Sequence, residues 1–170
     1  MKKASLLILV GLASFASADL RSEINTMNAK VRACMMKLDM DGFVKLVKPG
    51  VTKDFKYSEN GKSMNFDQMV ATMRQSFATM KKVTAATTKT LALKVTGNTG
   101  VATSAHSMSV VTMGPDKKSH TMTFTGTSSD HYRNENGTWK MSSMTWKNDK
   151  MLMDGKPMDM SKMGNAKSKD

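Results

Sequence analysis

From Leu20 to Leu38 the apolar residues Ile24, Met27, Val31, Cys34, Met35 and Leu38 recur every three or four positions, the period of one helical face. Asp39 to Lys48 reads as a second, short helix that buries Phe43, Leu46 and Val47 and stops at Pro49-Gly50. A short strand follows around Phe55 and Tyr57, with a turn at Glu59-Asn60-Gly61. Asn65 and Gln68 then stand in the two positions of a capping box, and Phe66, Met69, Val70, Met73, Phe77 and Met80 mark the inner face of a third helix. From Val83 the period falls to two. Gly97-Asn98-Thr99-Gly100, Gly114-Pro115-Asp116 and Asn136-Gly137 punctuate a chain rich in Thr, Val and Ser. The pattern predicts four antiparallel strands over 83–96, 101–113, 119–133 and 138–148. Strands this much longer than the usual five or six residues must curve or bulge.

Turn lengths give a register. A two-residue turn at Asn98-Thr99 would pair Gly97 with Gly100 and set Leu91 opposite His106. Met113 facing Ser119 brings Val110 to Met122 and Met108 to Phe124. A turn at Asn136-Gly137 pairs Glu135 with Thr138 and brings Tyr132 near Met141, on the side of Trp139 and Asp130. One face then holds Leu91, Leu93, Val95, Ala102, His106, Met108, Val110, His120, Met122, Phe124, Asp130, Tyr132, Trp139 and Met141. The other holds Thr121, Thr123, Thr125, Thr127, Ser129, His131, Arg133 and Lys140. Helices covering one face of an antiparallel sheet produce this split.

The first residues, MKKASLLILVGLASFASA, combine Lys2 and Lys3 with an apolar run from Leu6 to Ala13 and a small-residue end at Ala16-Ser17-Ala18. This is the pattern of a Sec signal peptide cleaved before Asp19, too short for a membrane anchor, and it predicts a periplasmic or secreted protein. The domains expected are the signal peptide at 1–18, a folded unit at 19–150, and a disordered Met- and Lys-rich tail at 151–170. A single cysteine, Cys34, excludes an internal disulfide. The formal charge is +12, and 12 − 2 = +10 without Lys2 and Lys3. Only four of the 26 basic residues are Arg (Arg21, Arg32, Arg74, Arg133), and the rest are scattered. That reads as a solvated surface, with no nucleic-acid partner and no stable membrane insertion.

Three helices, a short strand and a long four-strand meander resemble the nuclear transport factor 2-like superfamily, the α+β cone fold of SnoaL-like polyketide cyclases and ketosteroid isomerases. The resemblance runs over residues 20–156. It is carried by MDGFVKLVKPGVTKDFKYSENGK, by VTGNTGVATSAHSM and by SSDHYRNENGTWKM. It implies three N-terminal helices packed on one face of a strongly curved antiparallel sheet, a cavity open to a small apolar molecule, and a monomer or homodimer. Ketosteroid isomerase chemistry needs a general-base carboxylate and an oxyanion hole of Tyr and protonated Asp. The family places that Tyr on the first helix, and this first helix has none.

The candidate catalytic residues are therefore His106, Asp130 and Tyr132, on the apolar face. Strand arithmetic puts His106 near Gly126 and Asp130 roughly 13 Å away at about 3.3 Å per residue, too far for contact. The expected cavity wall is Tyr57, Met73, Phe77, Leu93, His106, Met108, Met122, Phe124, Tyr132, Trp139 and Met141. Asp39-Met40-Asp41-Gly42 lacks the further ligands of a calcium loop and reads as a helix cap. The three histidines are too far apart for zinc, so neither a metal nor a cofactor is expected. The alternative is Cu(I) on the soft thioethers of Met151, Met153, Met158, Met160 and Met163. The resulting expectation is an exported small-molecule-binding or accessory domain. The alternatives are a SnoaL-like lyase or isomerase, and a copper-binding tail on an inert domain.

Overall fold

The computed structural model describes residues 4–114 and 116–158, with side chains from residue 18 onward except at 148 and 149. The side chains of the expected signal sequence up to residue 17, the turn residue Pro115, and the tail from 159 with Met160 and Met163 lie outside the described residues. Among the described residues no helix is long and apolar enough to cross a membrane.

Helix α1 runs Ala4–Met36, and Leu38 takes a positive φ of 55° as the chain turns into α2, Met40–Val47. Asp39 caps α2 by accepting from the Gly42 amide at 2.8 Å, and a Cβ at Gly42 would strike that carboxylate. The acidic DMDG stretch is therefore a cap. Strands β1, Val51–Glu59, and β2, Lys62–Met64, form a hairpin. Helix α3, Phe66–Ala78, starts with the full capping box of Asn65 and Gln68. Met80, expected on α3, opens the next strand instead.

The meander consists of β3, Met80–Thr96; β4, Thr99–Met113; β5, Ser119–Glu135; and β6, Thr138–Met153, which ends in a short β7, Lys156–Pro157. The order is β2-β1-β6-β5-β4-β3, with β7 on β6. The sheet is mixed, because β1 joins β6 in parallel; the expectation of a purely antiparallel sheet is corrected at that one pairing. Register breaks interrupt β3 at three places and the β5–β6 pair at two, and such extra residues bend long strands.

The β4–β5 register is as expected: Met113 faces Ser119, Val110 faces Met122 and Met108 faces Phe124. The β3–β4 register differs. Gly97 adopts φ 56°, so the turn is Gly97-Asn98 and Thr96 pairs with Thr99. A bulge between Thr90 and Ala92 ejects Leu91, which is 55% exposed and does not belong to the inner face. His106 pairs with Thr88, not Leu91. At the other end, residues 151–157 are part of the sheet and not of a disordered tail. The alternation Met151-Leu152-Met153 continues the period of two, and Asp154 and Gly155 turn the chain at φ 50° and 78°.

Three apolar clusters fill the space between helices and sheet. The first joins Met40 and Phe43 of α2, Phe55 of β1, and Phe66 and Met69 of α3. The second joins Leu20 and Ile24 of α1 to Ala102 and Trp139. Leu20, 1% exposed, stabilises this end by about 1.5–3 kcal/mol. The third joins Val83, Ala86 and Val110 beneath Met36 and Leu38. Arg32 Nε donates to the Ala86 carbonyl at 2.8 Å and ties α1 to β3.

Candidate functional site

Two adjacent strands carry an apolar, polar, apolar sequence along their inner positions. On β4 it runs Ala102, Ser104, His106, Met108; on β5 it runs Phe124, Gly126, Ser128, Asp130, Tyr132. The apolar ends belong to the third and second clusters, and the polar middle forms a belt between them.

The belt is one connected network. Ser104 Oγ and Ser128 Oγ both donate to Asp130 Oδ2, at 3.2 and 3.0 Å. His106 Nε2 lies 2.8 Å from Ser128 Oγ, and its Nδ1 lies 3.2 Å from Thr88 Oγ1. With the Ser128 proton committed to Asp130, the Ser128 oxygen accepts from Nε2–H, which leaves Nδ1 to accept from Thr88. Trp146 covers the imidazole, ring centroids 4.6 Å apart at 43°. Gly126 makes room for that indole, since a Cβ there would meet the Lys147 carbonyl oxygen at 2.6 Å and the Trp146 ring at 2.8 Å.

Asp130 is 4% exposed, and its Oδ1 has no hydrogen-bond partner among the described residues. Burial pushes its pKa up to about 6, against the opposing hydrogen bonds of Ser128 and Ser104. Burial pushes His106 the other way, down to about 4. Tyr132 is raised by burial and then by the Asp130 charge. A buried, half-satisfied carboxylate beside a neutral imidazole is the chemistry of a site that binds a hydrogen-bond donor or moves a proton.

Beside the belt, between α1 and the β1, β5 and β6 edge, lies a cavity of about 80 Å3 walled by Leu20, Ile24, Met27, Tyr132, Trp139 and Met141. A groove of about 320 Å3 lined by Asp19, Ser22, Glu23, Asn134, Gly137 and Trp139 shares Glu23 and Trp139 with it. Glu23 is raised, by burial first and then by Asp19.

Of the expected cavity residues, Tyr132, Trp139 and Met141 do meet around that cavity. Of the others, His106 stands in the polar belt and the rest are distributed among the apolar clusters. Tyr57, Met73 and Phe77 pack in the first, where the Tyr57 hydroxyl donates to Glu59 at 2.9 Å. Leu93 packs in the second, and Met108, Met122 and Phe124 in the third. The single continuous wall is thus corrected: side chains large enough to fill the cone do fill it. His106 and Asp130 do not touch, as the spacing required, yet Ser128 bridges them. His120 stands apart, its Nδ1 2.7 Å from Asp154 and its Nε2 3.0 Å from Asp116.

The reading from sequence missed Ser104, Ser128 and Trp146. The serines were legible, since strict alternation puts them inside. Trp146 was not. Counting by twos from Trp139 and Met141 gives Ser143 and Thr145 on the inner face, but a bulge lets Tyr132 face Met141 while His131 faces Ser143. The extra residue brings Met144 and Trp146 inside.

Helices laid on one face of a curved mixed sheet, over a polar belt flanked by apolar clusters, define the cone-shaped class of α+β domains. The SnoaL-like domain family model matches residues 16–145, and the chain belongs to that family. Solved structures agree on the fold. A hexachlorocyclohexane dehydrochlorinase (LinA) of type 2 superposes with a TM-score of 0.64 at 11% identity, covering 88% of this chain and 94% of its own. A putative scytalone dehydratase from Novosphingobium aromaticivorans gives 0.62 at 9%, with 79% and 87% covered. A nuclear transport factor 2-like protein from Salmonella enterica serovar Typhimurium gives 0.58 at 17%, with 77% and 92% covered. No curated protein matches the chain by sequence.

Proposed function

We propose that this chain is an exported binder of a small, mostly apolar molecule that carries a hydrogen-bond donor. The molecule would lie between α1 and the inner face of the sheet, its apolar part against Tyr132, Trp139 and Met141. Its donor would reach inward to Asp130 Oδ1, two residues along β5 from the cavity-lining Tyr132 and itself outside the lining. The observation that carries this reading is that oxygen, buried and without a hydrogen-bond partner among the described residues, in a carboxyl whose other oxygen accepts two hydrogen bonds. Leaving such a group unsatisfied costs about 1–3 kcal/mol or more, which a fold tolerates where a ligand completes it. The cavity and groove together fall within the lower part of ligand-pocket volumes, about 300–1,000 Å3. Export is supported by the N-terminal pattern and by Asp19 and Glu23. Cleavage before Asp19 would put Asp19 in the first turn of the mature helix and Glu23 directly after it, near the end where the helix dipole favours acids.

Native mass spectrometry of the protein recovered from culture tests both parts. The expected result is a chain starting at Asp19 that retains a small-molecule adduct, which Asp130→Ala loses. A bare mass for the wild type, with no Trp fluorescence response to the hydroxylated probe 2-naphthol, overturns the binding reading. An uncleaved chain overturns export.

A second reading, a lyase or isomerase acting on a small hydrophobic substrate, draws on one observation: the carboxyl pushed up to about 6 is wired through Ser128 to His106. Asp130 would exchange the proton, His106 would hold Ser128 in place, and Tyr132 would face the substrate. The dehydrochlorinase and dehydratase named among the similar folds lend it support by likeness. Here His106→Gln lowers turnover and leaves ligand affinity unchanged, whereas a binder has no turnover to lose.

A further inference from the structure

We propose that Met122, Met151, Met153 and Met158 form a site for one soft monovalent cation, Cu(I) or Ag(I), where β5, β6 and β7 run side by side. The inference is independent of the ligand reading above and uses none of its residues.

The register brings these four residues together. Met122 on β5 is the direct partner of Met153 on β6, and Phe124 is the partner of Met151. Beyond the Asp154-Gly155 turn, Lys156 pairs with Met153 and Pro157 with Leu152. The Met158 amide donates to the Met151 carbonyl at 2.9 Å, which continues the pairing and sets Met158 beside Met151. Direct partners on antiparallel strands point to the same side with Cβ atoms about 4.5–5.5 Å apart. Residues two apart on one strand share that side at roughly 7 Å. The four side chains therefore rise from a single patch on the inner face, around the ring of Phe124. Each thioether hangs on three rotatable bonds, long enough to converge on an ion.

The patch is half-buried at all four residues, reachable from solvent but not swept by it. Thioether sulfur is a soft, uncharged donor that favours Cu(I) over the hard and borderline divalent ions. The imidazole two residues from Met122 is engaged elsewhere: His120 uses both ring nitrogens on Asp116 and Asp154. The same contacts make the patch rigid. Asp154 Oδ1 accepts from the Thr121 amide at 2.8 Å and the Asp154 amide donates to the Thr121 carbonyl at 2.8 Å, pinning the turn between Met153 and Lys156. A site held this way loses little entropy when it closes on an ion.

Packing alone does not require sulfur, and this separates the two roles. Leucine matches methionine in volume and is among the swaps a core tolerates best, but it cannot ligate. The experiment is an anaerobic competition of the full chain against bicinchoninate for Cu(I), with Ag(I) followed by the methyl resonances of labelled Met. The wild type is expected to withhold one equivalent of Cu(I), and Ag(I) to shift the methyls of Met122, Met151, Met153 and Met158. Met151→Leu and Met153→Leu should each weaken Cu(I) at least tenfold while circular dichroism stays unchanged. Met160→Leu with Met163→Leu should leave it intact. No withheld Cu(I), or binding that survives at 151 and 153 but disappears with 160 and 163, overturns the site. Should either leucine variant unfold, the methyl shifts of the wild type decide: no movement at these four residues rejects the proposal.

Discussion

His106 and Asp130 are joined through a single hydroxyl: His106 Nε2 lies 2.8 Å from Ser128 Oγ, which donates to Asp130 Oδ2 at 3.0 Å. The two groups sit on neighbouring strands at positions that cannot meet directly, Asp130 opposite Ala102 and His106 opposite Gly126. Burial drives their pKa values in opposite directions, the acid up to about 6 and the base down to about 4. Both changes favour the uncharged pair, the expected outcome where a low dielectric penalises charge; the serine hydrogen bonds and then the His131 charge oppose the rise at Asp130 without cancelling it.

The Asp130 carboxyl should make the protein less stable at neutral pH than an amide would. Its folded pKa, about 6, lies above the ordinary 3.8, so the folded state holds the proton more tightly than the unfolded chain. Stability from this group is highest below about pH 4 and falls as pH rises through 6. The shift corresponds to about 3 kcal/mol. Asp130→Asn is expected to be about 1–3 kcal/mol more stable than wild type at pH 8, the lower figure allowing for unmet amide hydrogens. Near pH 3.5 the difference should vanish. Urea denaturation at the two pH values measures it, and a variant less stable than wild type at pH 8 contradicts the account.

His106 carries the opposite slope. Its folded pKa of about 4 lies below the ordinary 6.5, so the unfolded chain takes up the proton first as pH falls. Stability is lost between about pH 6.5 and 4, by about 2 kcal/mol once its partial exposure is allowed for. The two windows overlap and oppose, so these groups leave the wild-type profile nearly flat there. His106→Gln should become steadily more stable, and Asp130→Asn steadily less stable, as pH is lowered from 6.5 to 4. Parallel profiles for the two variants would show that the groups are not the opposed pair described here.

Most of the architecture can be read from periodicity, because helix and strand faces leave different spacings. The capping box at Asn65, the Asn136-Gly137 turn and the β4–β5 register all follow from local chemistry. Bulges are what escape such reading. One extra residue costs the sequence nothing visible, yet it reverses every later side chain on the strand, which is how Leu91 left the inner face and Trp146 entered it. His106 and Asp130 were legible as inner-face polar residues, but their connection was not, because Ser128 looks like any other strand serine. The β7 hairpin was concealed by its own composition, charged and Met-rich enough to pass for a tail.

Gly126 sets the position of Trp146. A methyl group there would meet a backbone oxygen, Lys147 O, at 2.6 Å as well as the indole, and backbone cannot rotate away. Gly126→Ala should therefore destabilise by about 1–3 kcal/mol, the usual penalty for overpacking. Moving the ring off His106 should also uncover the imidazole and return its pKa toward the ordinary 6.5, which NMR titration would follow. An alanine variant of wild-type stability with His106 still near 4 would show that the strand has slack that the contacts do not reveal.

His120 clasps the far end of the sheet, and its effect has the opposite sign to that of His106. The hydrogen bond it donates to Asp154, then the one it donates to Asp116, raise its pKa above the ordinary value, and the His120 and Lys156 charges both lower Asp154. A raised base contributes stability that is complete below the unfolded pKa of 6.5 and is lost as pH rises through the folded value. The part that loosens should be local, the turn at Asp154-Gly155, where Asp154 Oδ1 accepts from the Thr121 amide. Hydrogen exchange at the Asp154 amide, bonded to Thr121 of β5, and at the Met158 amide, bonded across the hairpin to Met151, should lose protection above the raised pKa beyond the intrinsic rate increase, while β4 and the rest of β5 remain protected. His120→Gln cannot be charged, so it should show weaker protection that no longer depends on pH in this way. Identical pH dependence in the variant would mean that the hairpin is held by its backbone bonds alone.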